Sequence, residues 1–188
     1  MMTAVPPALT TLEAREQLSK ELEKAWNRGA AESSPLALMV VAFDKPETAV
    51  GLGIMERALR VHCARTHDVY VRRAHDEYVV LLPSTPPAGA RHVGEQLVEA
   101  MRAEGGDYTH RVSVGVAVAV PDEQRTPADL LRRAESALQA ARKNGGDRIA
   151  GGAAASPAAT TPAKGALAQL RDLLPGKKKN ADLKRRTD

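Results

Sequence analysis

Two acids, Asp76 and Glu77, stand side by side in the stretch VYVRRAHDEYVVLLP, which runs from Val69 to Pro83. Adjacent carboxylates can hold a divalent cation, accept a proton, or simply face water at a turn. Apolar residues flank them on both sides, which predicts strand, turn, strand, with the acids at a hairpin tip. His75 stands beside them where a glycine would ease the turn. Cys63 is the single cysteine, so no internal disulfide forms, and this fits a reducing cytoplasm. One cysteine and five scattered histidines give no zinc-ligand spacing.

The elements that must position these acids follow from periodicity. Leu12, Leu18, Leu22 and Trp26 mark an amphipathic helix over 12–28, with Gly29 as its stop. LALMVVAF, from Leu36 to Phe43, reads as a central strand buried on both faces, broken by Asp44 and Pro46. A helix is predicted from Met55 to Ala64, with Ile54, Leu59, Val61 and Cys63 as its apolar candidates. After the hairpin, Pro86-Pro87 opens a helix carrying Val93, Leu97, Val98 and Met101, which Gly105-Gly106 stops. RVSVGVAVAV, 111–120, alternates and is rich in valine, which predicts a strand. Thr126-Pro127-Ala128-Asp129 has the form of a capping box with proline in the first turn. The helix it starts uses Leu130, Leu131, Ala134, Leu138 and Ala141, ends at Gly145-Gly146, and leads to a short strand over 148–150.

The chain has 188 residues, 43% of them hydrophobic and only 3% aromatic, which implies one domain with an aliphatic core. No apolar run approaches the roughly 20 residues that span a bilayer, and no secretory signal is visible in the first residues. From Lys164 to Asp188 there are eight Lys/Arg and three Asp/Glu, while the remainder holds 19 against 20. The net charge of +4 therefore belongs to the end of the chain. Residues 151–163 read as an Ala/Pro-rich linker, 166–174 as a short helical piece and 164–188 as a solvated basic tail. The KKK and KRR runs there could contact nucleic acid or an anionic membrane.

Several strings line up with one family. Leu9-Thr10-Thr11-Leu12 with Arg15, the strand Leu36 to Asp44, and Ala74-His75-Asp76-Glu77-Tyr78 with Pro83 come first. Ser113-Val114-Gly115-Val116-Ala117 and then Ala137-Leu138, Arg142 and Gly145 follow. In this order and spacing they resemble the GGDEF domain of bacterial diguanylate cyclases, over residues 9–150, after an N-terminal extension over 1–8. The resemblance implies an α/β (α+β) palm-like nucleotidyl-cyclase fold, with a mainly antiparallel sheet flanked by helices. Active members join two GTP molecules, one per subunit of a homodimer, into cyclic di-GMP, using magnesium held by carboxylates.

Matched to that pattern, Ala42 stands where the first-strand metal acid belongs and Asp44 keeps the second acid. Asp44 either substitutes in part or caps the next turn, and the turn cap is the favoured reading. Pro46 and Glu47 replace the phenylalanine and lysine that follow, and the segment after them is shorter than usual. Val50 stands near the guanine-reading asparagine. Ala74 and His75 replace the two glycines, Asp76 and Glu77 remain as vestigial acids, Arg142 replaces a phosphate-facing lysine, and Gly146 replaces an arginine. Losses in metal, base and phosphate contacts together imply no catalysis and no cofactor, with magnesium at Asp76 and Asp44 only if the domain is active.

Upstream, Arg65-Thr66-His67-Asp68 ends five residues before Ala74. In the family, R-x-x-D at this spacing binds cyclic di-GMP. Arginine can pair bidentately with phosphate or a guanine edge, and the acid can accept from guanine. By itself the motif also reads as a surface charge pair. Gln96 stands where some members carry a second arginine, with Arg91 nearby. His67 and His75 read as exposed polar residues, and Tyr70 and Tyr78 as packing. The function expected is a noncatalytic module in cyclic di-GMP signalling, a receptor through Arg65 and Asp68 or a docking module for a protein partner. The alternatives are an active cyclase and a nucleotide-independent scaffold.

Overall fold

The structure is a computed structural model and describes residues 11–46, 48–104 and 110–154. The elements are α1 (Thr11–Glu32), β1 (Leu36–Phe43), α2 (Ala49–His62), β2 (Val69–Ala74), β3 (Glu77–Pro83), α3 (Pro87–Glu104), β4 (Val112–Ala119), α4 (Pro127–Lys143) and β5 (Ile149–Ala154). The five strands form one sheet in the order β2-β3-β1-β4-β5. β1 runs antiparallel to both neighbours, with Ala42 opposite Glu77 on one side and Ser113 on the other. β5 runs parallel to β4, and α4 supplies the crossover that a parallel pair requires. The sheet is mainly antiparallel with helices on both faces, the palm-like α/β architecture the sequence implies.

β1 is apolar throughout because both of its faces are covered. Ala37, Met39, Val41 and Phe43 pack under α2 and α3, against Ile54, Met55, Leu59, Leu97, Val98 and Met101. Leu36, Leu38, Val40 and Ala42 pack on the opposite face, against Leu18, Leu22 and Trp26 of α1 and Leu130, Ala134 and Leu138 of α4. Gly115 of β4 lets α4 lie directly on the sheet. A Cβ there would stand 2.1 Å from the Ala134 carbonyl oxygen and 2.2 Å from the Leu138 amide nitrogen.

Four expectations change. α1 passes through Gly29 to Glu32. Gly29 is buried, and a Cβ on it would stand 2.9 Å from the Pro121 side chain, so it is a contact glycine rather than a terminator. The turn is made instead by Ser33, at φ 49°, and the Ser34 amide closes onto the Gly29 carbonyl at 2.9 Å. α2 starts at Ala49 rather than Met55, because Thr48 caps it by accepting from the Gly51 amide at 3.1 Å. Val61, expected to be apolar core, is 69% exposed on that helix. β5 continues to Ala154, into the first residues of the predicted linker, with Gly151 and Gly152 at φ 83° and 80° beside a register shift.

The capping box of α4 forms as read. Thr126 accepts from the Asp129 amide while Asp129 accepts from the Thr126 amide, at 3.2 Å each. Leu9, Thr10, Glu47, the Gly105-Gly106 stop, the remaining linker and the basic tail lie outside the described residues.

Candidate active-site cleft and the turn before β2

β1 and the β2–β3 hairpin end side by side, and the end of α4 closes over them. Phe43, Asp44, Lys45, Pro46, His75, Asp76, Arg142, Gly145 and Gly146 line an open cleft of about 750 Å³. The hairpin tip is fastened to β1, because the Phe43 amide donates to the Asp76 carbonyl at 3.0 Å. The expected remnants Asp44, Asp76 and Arg142 are thus brought together.

Asp44 is already engaged by the protein. Its Oδ1 accepts from the Ser113 hydroxyl at 2.6 Å, and its Oδ2 accepts from the Asp147 amide at 2.7 Å. Gly145, Gly146 and Asp147 all lie in the left-handed region, at φ 106°, 69° and 51°. This turns the chain after α4 back onto Asp44. A Cβ on Gly146 would stand 2.8 Å from Asp44 Oδ2, so glycine here permits the close approach. Asp147 is fixed in turn by Arg102, whose Nε donates to its carboxylate at 3.0 and 3.1 Å and whose Nη2 donates to its carbonyl at 2.7 Å. Arg111 also donates to that carboxylate.

Arg142 donates to the Phe43 carbonyl at 2.8 Å and stands 4.0 Å from Asp44 and 3.8 Å from Asp76. Glu77 points away from the cleft into an ion pair with Arg73, which also donates to Glu135 of α4 at 2.5 Å. Burial opposes the Arg73 charge, but Glu135 and Glu77 outweigh it and hold the guanidinium pKa above its ordinary value. His75 is exposed, and Arg72 donates to its carbonyl. Val50, on the first turn of α2, is 66% exposed. Tyr78 is core and Tyr70 packs against it.

Magnesium takes six oxygen ligands and usually one or two carboxylates. Ala42 offers none, Asp44 spends an oxygen on each of two protein donors, and Glu77 is held by Arg73. A fixed cation, Arg142, already stands between Asp44 and Asp76. Among the described residues no three His, Cys, Asp or Glu side chains converge. The donor set is a poor fit for magnesium.

Arg65 and Asp68 lie at the other end of β2, roughly 20 Å from the hairpin tip along six residues of strand. They share one turn. Asp68 Oδ2 accepts from the Arg65 amide and the Asp68 amide donates to the Arg65 carbonyl, both at 3.1 Å. Burial raises the Asp68 pKa, with the Arg65 amide, the Arg65 charge and His67 working against it. The Arg65 side chain is exposed and spends one bond, 3.2 Å, on Thr85 Oγ1. Arg91 pairs with Glu95 on its own helix at 3.4 Å, and Gln96 is half-buried. His67 is exposed.

Spacing gave no site role to Ser113, quoted only as part of a strand motif, or to Asp147, Arg73 and Glu135. Ser113 had a signal, as the one polar residue of a valine strand. The others depend on pairings between distant segments, which spacing along the chain does not carry.

A sheet of this order, with acids at the end of its central strand and at the adjoining hairpin, defines a palm-like nucleotidyl-cyclase fold. The family profile "Diguanylate cyclase, GGDEF domain" matches residues 52–148. The chain belongs to the GGDEF family, the family of cyclic di-GMP signalling. An uncharacterized protein of Mycobacterium tuberculosis is 31% identical over 157 residues, 76% of this chain and 25% of its own length. The chain thus spans about a quarter of that relative. The active GGEEF domain of a diguanylate cyclase from Vibrio cholerae superposes with a TM-score of 0.64 at 18% identity, covering 76% of this chain and 97% of that one. The GGDEF domain of DgcB from Caulobacter crescentus, in complex with c-di-GMP, gives 0.50 at 16%, covering 73% and 90%. No described helix is long and apolar enough to cross a membrane.

Proposed function

We propose that this is a degenerate, noncatalytic GGDEF domain that acts by binding cyclic di-GMP at Arg65 and Asp68. The observation that carries the noncatalytic reading is the state of Asp44. Its carboxylate serves Ser113 and Asp147 as an internal strut, with alanine at position 42 beside it. A metal entering here would have to break two short hydrogen bonds to a charged group, each worth about 1.5–3 kcal/mol, and displace Arg142. The receptor reading is supported by Arg65, exposed with most of its donor fork unspent, on a turn already held in shape by Asp68.

Titration calorimetry with cyclic di-GMP tests the reading. Saturable heat is expected from the wild type, with at least a tenfold loss of affinity in Arg65→Ala. Equal affinity in that variant, or no heat at all, sinks the receptor. A parallel incubation with GTP and Mg²⁺ is expected to yield no cyclic di-GMP. Product that disappears in Asp76→Ala would establish the cyclase alternative instead. A nucleotide-independent scaffold, docking a protein partner through the fold or the tail, is what remains if both assays are negative.

A further inference from the structure

The register shift between β4 and β5 opens a second groove, away from the cleft. Val116, Ala117, Arg132, Arg133, Ser136, Ala137, Gly151 and Gly152 line it, and it holds about 340 Å³. Two successive glycines at positive φ stand at this shift, and α4 forms the facing wall. The arginines around it differ. Arg125 faces Asp122 at 3.5 Å, and Arg132 pairs with Asp129. Among the described residues Arg133 pairs with no acid, although it is half-buried. Burial, and then the like charge of Arg125, both weaken its hold on its proton. An ionised, partly desolvated guanidinium beside another cation is an unbalanced charge that an anion would complete.

We propose that this α4–β5 groove is a phosphate-binding site, with Arg133 as the fork that grips a phosphate or pyrophosphate group. Arg132 lies at its edge, and the Ser136 hydroxyl, which donates to the Arg132 carbonyl at 2.9 Å, would turn its proton from there to the bound anion. The groove is large enough for a phosphate with part of the molecule that carries it. This site is independent of the Arg65 reading, since it shares no residue with that turn.

The test is a titration of the full chain at constant ionic strength, with inorganic phosphate in one arm and pyrophosphate in the other. The amide signals of Gly151 and Gly152 and the Arg133 Nε–H signal are followed by NMR. Saturable shifts are expected, tighter for pyrophosphate, with at least a tenfold weakening in Arg133→Gln and little change in Arg142→Gln. Arg133→Lys keeps the charge without the fork and should weaken binding several-fold; it carries the test if Arg133→Gln does not fold. Linear shifts without saturation, or the same saturation curve in the Arg133 variants, overturn the proposal.

Discussion

At Asp44 the carboxylate links three segments far apart in sequence: the end of β1, Ser113 at the start of β4 and the turn at Asp147. Ser113→Ala should cost about 1.5–3 kcal/mol, because the hydroxyl donates to a charge and sits in a fully buried position. Denaturant unfolding measures it, and a loss under half a kcal/mol would show that the strut carries little. Asp44 could be recognised from sequence as a retained acid or as a cap of the next turn, but the helix that follows is capped by Thr48 and Asp44 accepts from Ser113 and Asp147 instead. Its partners could not be read, since both are long-range. Cys63 offers a second prediction at this scale. Burial, then Asp68, pushes its thiol up to about 12 from an ordinary 9.0. The folded state prefers the neutral thiol, so this stabilisation is complete below pH 9 and is lost as pH rises from 9 toward 12. Thiol alkylation at pH 8 should therefore be much slower in the native protein than in denaturant. Equal rates would contradict the burial.

Helices and strands were legible wherever periodicity was continuous, and their ends were legible where a cap had a local sequence form. Thr126 to Asp129 reads directly because both halves of the box lie within four residues. Thr126→Ala should lower stability by about 1 kcal/mol, seen as a small drop in thermal midpoint. Gly29 and Gly115 show the limit. Each is a glycine because another element presses on it, and nothing local distinguishes such a glycine from a breaker. Gly115→Ala would drive a methyl group into the α4 backbone. The expected cost is at least about 3 kcal/mol, at the upper end of overpacking penalties. A midpoint unchanged by Gly115→Ala would mean that α4 does not lie where it is described.

For the molecule as a whole, the fold class and the mainly antiparallel sheet follow from the family pattern, whereas the order β2-β3-β1-β4-β5 comes from the pairings in the structure. The extent of β5 was hidden, because IAGGAA has the composition of a linker and becomes a strand only by pairing with β4. A chain ending at Arg148 should lose several degrees of thermal midpoint relative to one ending at Ala154, since β5 also packs under α3 through Ile149. Indistinguishable midpoints would return these residues to the linker.

The central position of β1 also sets a clock for the native state. Its residues are buried to within 2% of complete and its backbone is bonded to strands on both sides, so solvent reaches its amides only when the sheet comes apart. Deuterium should enter Met39 and Val41 last of all. Their protection should equal the free energy of global unfolding, whereas the amides of edge strand β2 are expected to exchange earlier through local opening.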